Sequence, residues 1–65
     1  MDIRDVKKNL GRMVHHNGRQ WLFAGCILRR HRKTGRFYYE AELHDPQREQ
    51  WVVVCAMEDV KEERT

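Results

Sequence analysis

Arg12-Met13-Val14-His15-His16-Asn17-Gly18-Arg19-Gln20-Trp21-Leu22-Phe23-Ala24-Gly25-Cys26-Ile27-Leu28 is the stretch that decides the fold. Asn17-Gly18 accepts positive φ at both central positions of a two-residue turn, the strongest short hairpin signal a sequence offers. The stretch therefore predicts a first strand over 12–16 and a second over 19–28. Gly25 interrupts the second strand, where glycine marks a bulge or a sharp bend that lets a sheet curl over itself.

Beyond Leu28, the run Phe37-Tyr38-Tyr39-Glu40-Ala41-Glu42-Leu43-His44 alternates. Phe37, Tyr39, Ala41 and Leu43 share one side, and Tyr38, Glu40, Glu42 and His44 the other, as in a half-buried third strand. Asp45-Pro46-Gln47-Arg48-Glu49 breaks the pattern with a proline turn. Trp51-Val52-Val53-Val54-Cys55 follows as a β-branched fourth strand. Ala56-Met57-Glu58-Asp59-Val60 reads as one helical turn before a last short extended segment, with the final residues frayed. At the other end, Asp2 can cap a helix whose Ile3, Val6 and Leu10 fall on one face and lie over the sheet, with Gly11 as its left-handed stop.

No connection is long enough for a parallel crossover, so the sheet must be antiparallel. The expected fold is mainly β: one domain over 1–65, with a helix over 2–10 and, over 11–62, a small barrel of four to five bent antiparallel strands. Trp21, Phe23, Phe37, Tyr39 and Trp51 are the expected aromatic core.

A chain of 65 residues buries only about 60% of the surface its unfolded form exposes, so a disulfide, a metal or a partner chain each needs a check. Cys26 and Cys55 lie in apolar stretches and have no CxxC pairing. They read as buried free thiols of a reducing cytoplasm, with a cross-strand disulfide as the alternative. His15, His16, His31, His44 and the two cysteines lack the paired spacing of a structural zinc site, so no metal and no cofactor is expected. Glu40 and Glu42 share a strand face without a nucleophile or a burial-shifted partner, so catalysis is not expected; pairing with arginines across the sheet suits them better. The amino terminus lacks the apolar core of a secretion signal and no run approaches a membrane span, which points to a cytoplasmic protein with no membrane partner.

Thirteen Lys and Arg oppose ten Asp and Glu, a net charge of +3, and the charges are segregated. Arg29-Arg30-His31-Arg32-Lys33-Thr34-Gly35-Arg36 is purely basic, whereas Glu58, Asp59, Glu62 and Glu63 make the end acidic. Because the basic run lies between two strands and Thr34-Gly35 should close its turn, it is expected at the exposed tip of a hairpin. Arg29, Arg30, Arg32, Lys33 and Arg36 would then grip the phosphates of DNA or RNA, Arg12 and Arg19 would extend the patch, and Tyr38 would stack on an unpaired base. The plainer alternative is a solubilising loop that guards a sheet edge, with Tyr38 packed on a neighbouring strand.

The order Gly11-Arg12-Met13-Val14-His15-His16-Asn17-Gly18-Arg19-Gln20-Trp21, then Leu43-His44-Asp45, then Val54-Cys55-Ala56-Met57-Glu58-Asp59-Val60 resembles the SH3-like small barrels, particularly their Tudor and KOW-type branches. The resemblance runs from about Gly11 to Val60 and implies the same bent barrel. It does not carry over a Tudor cage for methylated ligands, because the loop after the third strand has no aromatic ring and only Trp21, Tyr38 and Trp51 remain for a partial cage. Nor does it carry over the KOW-type glycine-rich loop, since the first hairpin is too tight. The layout is also similar to that of small proteins found on bacterial phages and conjugative elements. Two functions are compatible with all this: a non-catalytic nucleic-acid-associated module using the basic hairpin tip, or a protein-interaction or homodimerisation module using a strand edge.

Overall fold

Asn17 and Gly18 adopt φ of 51° and 72° and close the tight hairpin between β1 (Met13–His16) and β2 (Arg19–Arg30). The computed structural model of the chain describes residues 1–48 and 50–63. The expected fraying of the last residues falls on 64 and 65, outside the described residues, as does Glu49 of the proline loop. β2 continues through a six-residue loop into β3 (Phe37–His44), which turns into β4 (Val52–Ala56). A 3-10 turn (Met57–Asp59) leads to β5 (Lys61–Glu62). All pairings are antiparallel, and the strands form one five-stranded sheet ordered β4-β3-β2-β1-β5.

Gly25 sits where the β2–β3 register shifts, between Phe23 and Gly25, so an extra residue is accommodated at the expected bulge. Before it β2 pairs with β1; after it β2 pairs only with β3. The sheet is an open ladder, because β4 and β5 are its two ends and no pairing joins them among the described residues.

Val14, Trp21, Phe23, Ala41, Leu43, Met57 and Val60 form the buried core, with Met1, Val6, Cys26, Val53 and Cys55 packed against it. Trp21 Nε1 donates to the carbonyl of His16 at 3.2 Å, so its one polar atom is satisfied. Three aromatics expected inside are not there: Phe37, Tyr39 and Trp51 are exposed. The alternation of β3 is correct, but β4 covers β3 only from His44 to Glu40. Phe37 and Tyr39 lie beyond that cover on a two-stranded arm, and Trp51 precedes β4 at the surface, under the Arg48 guanidinium at 4.5 Å.

The helix is also shorter than expected. Asp2 caps as anticipated, its carboxylate accepting from the backbone N–H of Arg4 at 2.8 Å, but the first turn is 3-10 (Ile3–Asp5) and α1 spans only Val6–Asn9. Ile3 and Leu10 are exposed, and the plug is instead Val6 together with Met1. The Met1 ammonium donates to the carbonyls of Met57 and Val60 at 2.6 and 2.7 Å, tying the N-terminal segment to the turn before β5. Gly11 follows with φ of 78°.

Cys26 and Cys55 are free and half-buried. Both pair with Ala41, one from each side. They are thus two strand spacings apart, about 10 Å, beyond the roughly 7 Å that a disulfide spans without backbone movement.

Candidate nucleic-acid interface

The arm begins where both neighbouring strands stop. β1 leaves β2 near Phe23 and β4 leaves β3 at Glu40, so the segment from Ile27 to Arg30 pairs only with Phe37 to Glu40. The bridging loop is held by its own backbone: His31 N–H donates to the carbonyl of Arg36 at 2.7 Å, and Gly35 N–H to that of His31 at 2.9 Å. Two side chains tighten it, with Lys33 N–H donating to His31 Nδ1 at 3.3 Å and Arg36 N–H to Thr34 Oγ1 at 3.2 Å. Gly35 has φ of 71°. A Cβ there would lie 3.3 Å from the Arg30 guanidinium, which folds back across the loop.

These bonds fix where the cations sit. Arg30, Arg32, Lys33 and Arg36 are exposed, and none makes an ion pair among the described residues. Arg29 differs, because its guanidinium forms an ion pair with the Glu40 carboxylate across the arm, Nε to Oε1 2.5 Å, so one of the five expected phosphate-binding cations is already neutralised. That contact is the cross-strand role expected of Glu40; Glu42 instead pairs with His44 on its own strand at 2.8 Å.

Arg12 and Arg19 do not extend the patch. Arg19 opens β2 and Arg30 closes it, eleven residues later, a contour of roughly 35 Å before the bend is counted. Arg19 is also occupied, its Nη2 donating to Asp45 Oδ2 at 2.9 Å while its guanidinium lies 4.7 Å from the Trp21 ring centre. Asp45 is buried and accepts further bonds from the N–H groups of Gln47 and Arg48 at 2.8 and 3.2 Å. The Gln47 N–H and then Arg19 hold its carboxyl below the ordinary carboxylate range. Arg12 lies beside Phe23, whose N–H donates to its carbonyl at 2.8 Å, far back from the tip.

Tyr38 is on the arm as expected, on the face of β3 that carries Glu40, opposite Arg29 on β2. Its ring centre lies 6.4 Å from that of His31, and it is 42% exposed. A partial cage is ruled out by distance: Tyr38 is seven residues from Asp45, where Trp51 bonds, about 23 Å along β3. What the sequence reading missed is the opposite face, where Leu28 faces Tyr39 and Arg30 faces Phe37, all beyond the cover of β4. Phe37, at 68% exposure, is the most exposed large hydrophobic residue among those described. The signal available was the mismatch between a long β2 and the short run of residues 51–55 that was to cover its partner.

The surface shared by the N-terminal segment and β5 is acidic. Asp2, Asp5, Glu58, Glu62 and Glu63 line a groove of about 890 Å³ beside Met1, His15 and Lys61. Arg4 pairs with Asp2 and holds its carboxyl at about 2, first through its side chain and then through its backbone N–H. Lys8 bridges Asp5 and Glu62 at 3.5 and 3.6 Å. Among the described residues no group of three His, Cys, Asp or Glu is placed to hold a metal ion. No helix among them is long and apolar enough to cross a membrane. Compared with known families, curated proteins and solved structures, the chain finds no match in any of the three.

Proposed function

We propose that this protein is a non-catalytic, cytoplasmic nucleic-acid-binding module that presents its β2–β3 arm to phosphates, built on an SH3-like small barrel. The observation that carries the reading is the set of four cations, Arg30 at the end of β2 and Arg32, Lys33 and Arg36 on the loop after it, with no carboxylate partner among the described residues. Like charges clustered within seven residues repel one another, and a polyanion relieves that repulsion while releasing its own counterions. The barrel assignment is supported by the strand order, by the register shift of β2 on β3 beside Gly25, and by the 3-10 turn between β4 and β5. The acidic groove lined by the N-terminal segment and β5 opposes the basic loop in charge and would orient the molecule loop-first toward a polyanion.

Titrating a labelled oligonucleotide at low and at moderate salt tests the proposal. Binding in the micromolar to hundred-micromolar range that weakens with salt is expected. Absence of binding at tens of micromolar protein and low salt would remove it. Arg30→Glu with Arg32→Glu should abolish binding while the circular dichroism of the sheet is retained.

A second reading, self-association through β4, is favoured by that strand's open edge. Asp45 N–H donates to the carbonyl of Trp51 at 3.0 Å, which sets the phase of the ladder. Val53 and Cys55 turn their backbone groups toward β3, and Val52, Val54 and Ala56 turn theirs outward. Val52 and Val54 are exposed, and β4 carries none of the charges or prolines that guard an edge. A solution mass of twice the monomer that resists salt, and returns to monomer in Val54→Lys, would establish it; a monomer at all concentrations would dismiss it.

A further inference from the structure

We infer that the nucleic acid taken by the arm is single-stranded, with its unstacked bases lying on Phe37, Tyr38 and Tyr39; the inference rests on the nucleic-acid reading above and names the class of ligand. The cations alone do not discriminate, since phosphates line single and double strands alike. The rings do.

Leu28 and Tyr39 face each other on one surface of the arm, next to Phe37 and Arg30, and these three apolar groups are exposed by 54%, 42% and 68%. Tyr38 occupies the other surface, beside Arg29 and near the His31 ring. Three consecutive aromatics are therefore exposed, on both faces of a ribbon only two strands wide, directly behind the four cations of the hairpin tip. Their exposure follows from the pairing: β4 ends at Glu40 and β1 ends near Phe23, which leaves Phe37 clear of both and Tyr38 and Tyr39 bordering a shallow open pocket with Ile3, Ala56, Met57 and Glu58.

A duplex gives such rings little to do. Its base faces are already stacked, and a groove offers edges to hydrogen-bonding side chains, not faces to rings. Bases of an unpaired strand present open faces, and each stacks on an aromatic without regard to sequence while its phosphate meets a neighbouring cation. The spacing fits. Phe37 and Tyr39 are two residues apart on one face, about 6.8 Å, which is twice the 3.4 Å rise between stacked bases and admits one base between two rings. Arg30, opposite Phe37, and Arg36, next to it in sequence, are placed for the flanking phosphates.

The test compares a labelled single-stranded oligonucleotide with the duplex of the same sequence, by fluorescence anisotropy at low salt, for the wild type and for Phe37→Ala, Tyr38→Ala, Tyr39→Ala and Tyr38→Phe. The expected result is tighter binding of the single strand, weakened by about 5-fold or more in each alanine variant. Tyr38→Phe should keep the affinity, and all four variants should keep the salt slope because no cation has been lost. Equal or tighter binding of duplex, with alanine variants that bind the single strand like wild type, would overturn the single-strand inference and leave the nucleic-acid reading standing. Failure of every oligonucleotide to bind wild type would remove both. A wild-type dimer that the ring variants convert to monomer would also overturn the inference, by assigning the rings to a second copy of this chain.

Discussion

Glu40→Gln should make the arm a stronger polyanion ligand, by removing a negative charge that the arm itself supplies. In the wild type the Glu40 carboxylate engages the Arg29 guanidinium, leaving Arg30, Arg32, Lys33 and Arg36 for phosphates. With about 0.7 counterions released per single-strand phosphate contact, four cations give a slope of log affinity on log salt of about −2.8. Between about 50 and about 200 mM salt that slope is a loss of roughly 50-fold. Releasing Arg29 makes the count five, the slope about −3.5 and the loss roughly 130-fold, so Glu40→Gln should bind tighter at low salt and converge on wild type as salt rises. The stability cost should be small, about 0.2–1 kcal/mol for a cross-strand pair near the surface, so the variant remains folded. Anisotropy titrations at four or more salt concentrations, with urea melts of both proteins, measure the two quantities separately. A Glu40→Gln slope equal to or shallower than that of wild type would refute the counting, because it would mean that Arg29 does not reach phosphate even when released.

Three further outcomes follow from the same geometry. Phe23→Ala should cost about 3–5 kcal/mol, close to the whole stability of so small a domain, whereas Phe37→Ala should change the unfolding free energy by no more than about 0.5 kcal/mol; the two urea melts compare a fully buried ring with an exposed one. Asp45 has a lowered carboxyl, so its contribution is fully present above its unfolded value and is lost as pH falls through its folded value. Asp45→Asn should therefore be less stable than wild type near neutrality, and the gap should close on acidification into the low-pH range, as followed by thermal melts across pH. Burial raises both thiols, with Asp59 and Glu40 adding to the effect at Cys55; Cys26 and Cys55 should react with a disulfide reagent more slowly in the folded protein than in urea, and an oxidised sample should show no intramolecular crosslink by mass spectrometry.

The parts of the structure that could be read from the sequence are those whose cause is local. Asn17-Gly18 and Gly35 announce their turns because few residues accept positive φ, and Gly25 marks the register shift between β2 and β3. The alternation of β3 was equally readable, since it depends only on which side each residue faces. Whether a face is covered is not local. Phe37 and Tyr39 share the side of Ala41 and Leu43, yet only the latter pair is buried, because β4 stops at the level of Glu40. The charges divide in the same way: that 29–36 forms a basic tip follows from composition between two strands, but the capture of Arg29 by Glu40 and of Arg19 by Asp45 depends on register and on a distant loop. The same holds for the Met1 ammonium at the turn before β5, which joins the two ends of the described chain.

The central claim is that the exposed cationic arm is the binding surface, and a residue-by-residue titration of the folded protein addresses it most directly. In a nuclear magnetic resonance titration of isotope-labelled protein with a short single-stranded oligonucleotide, the account predicts shifts concentrated on the amides of 28–39, with β1, β5 and the acidic groove unmoved. Shifts centred on β4 or on the groove lined by Asp5 and Glu62, or no shift at all at low salt, would contradict it.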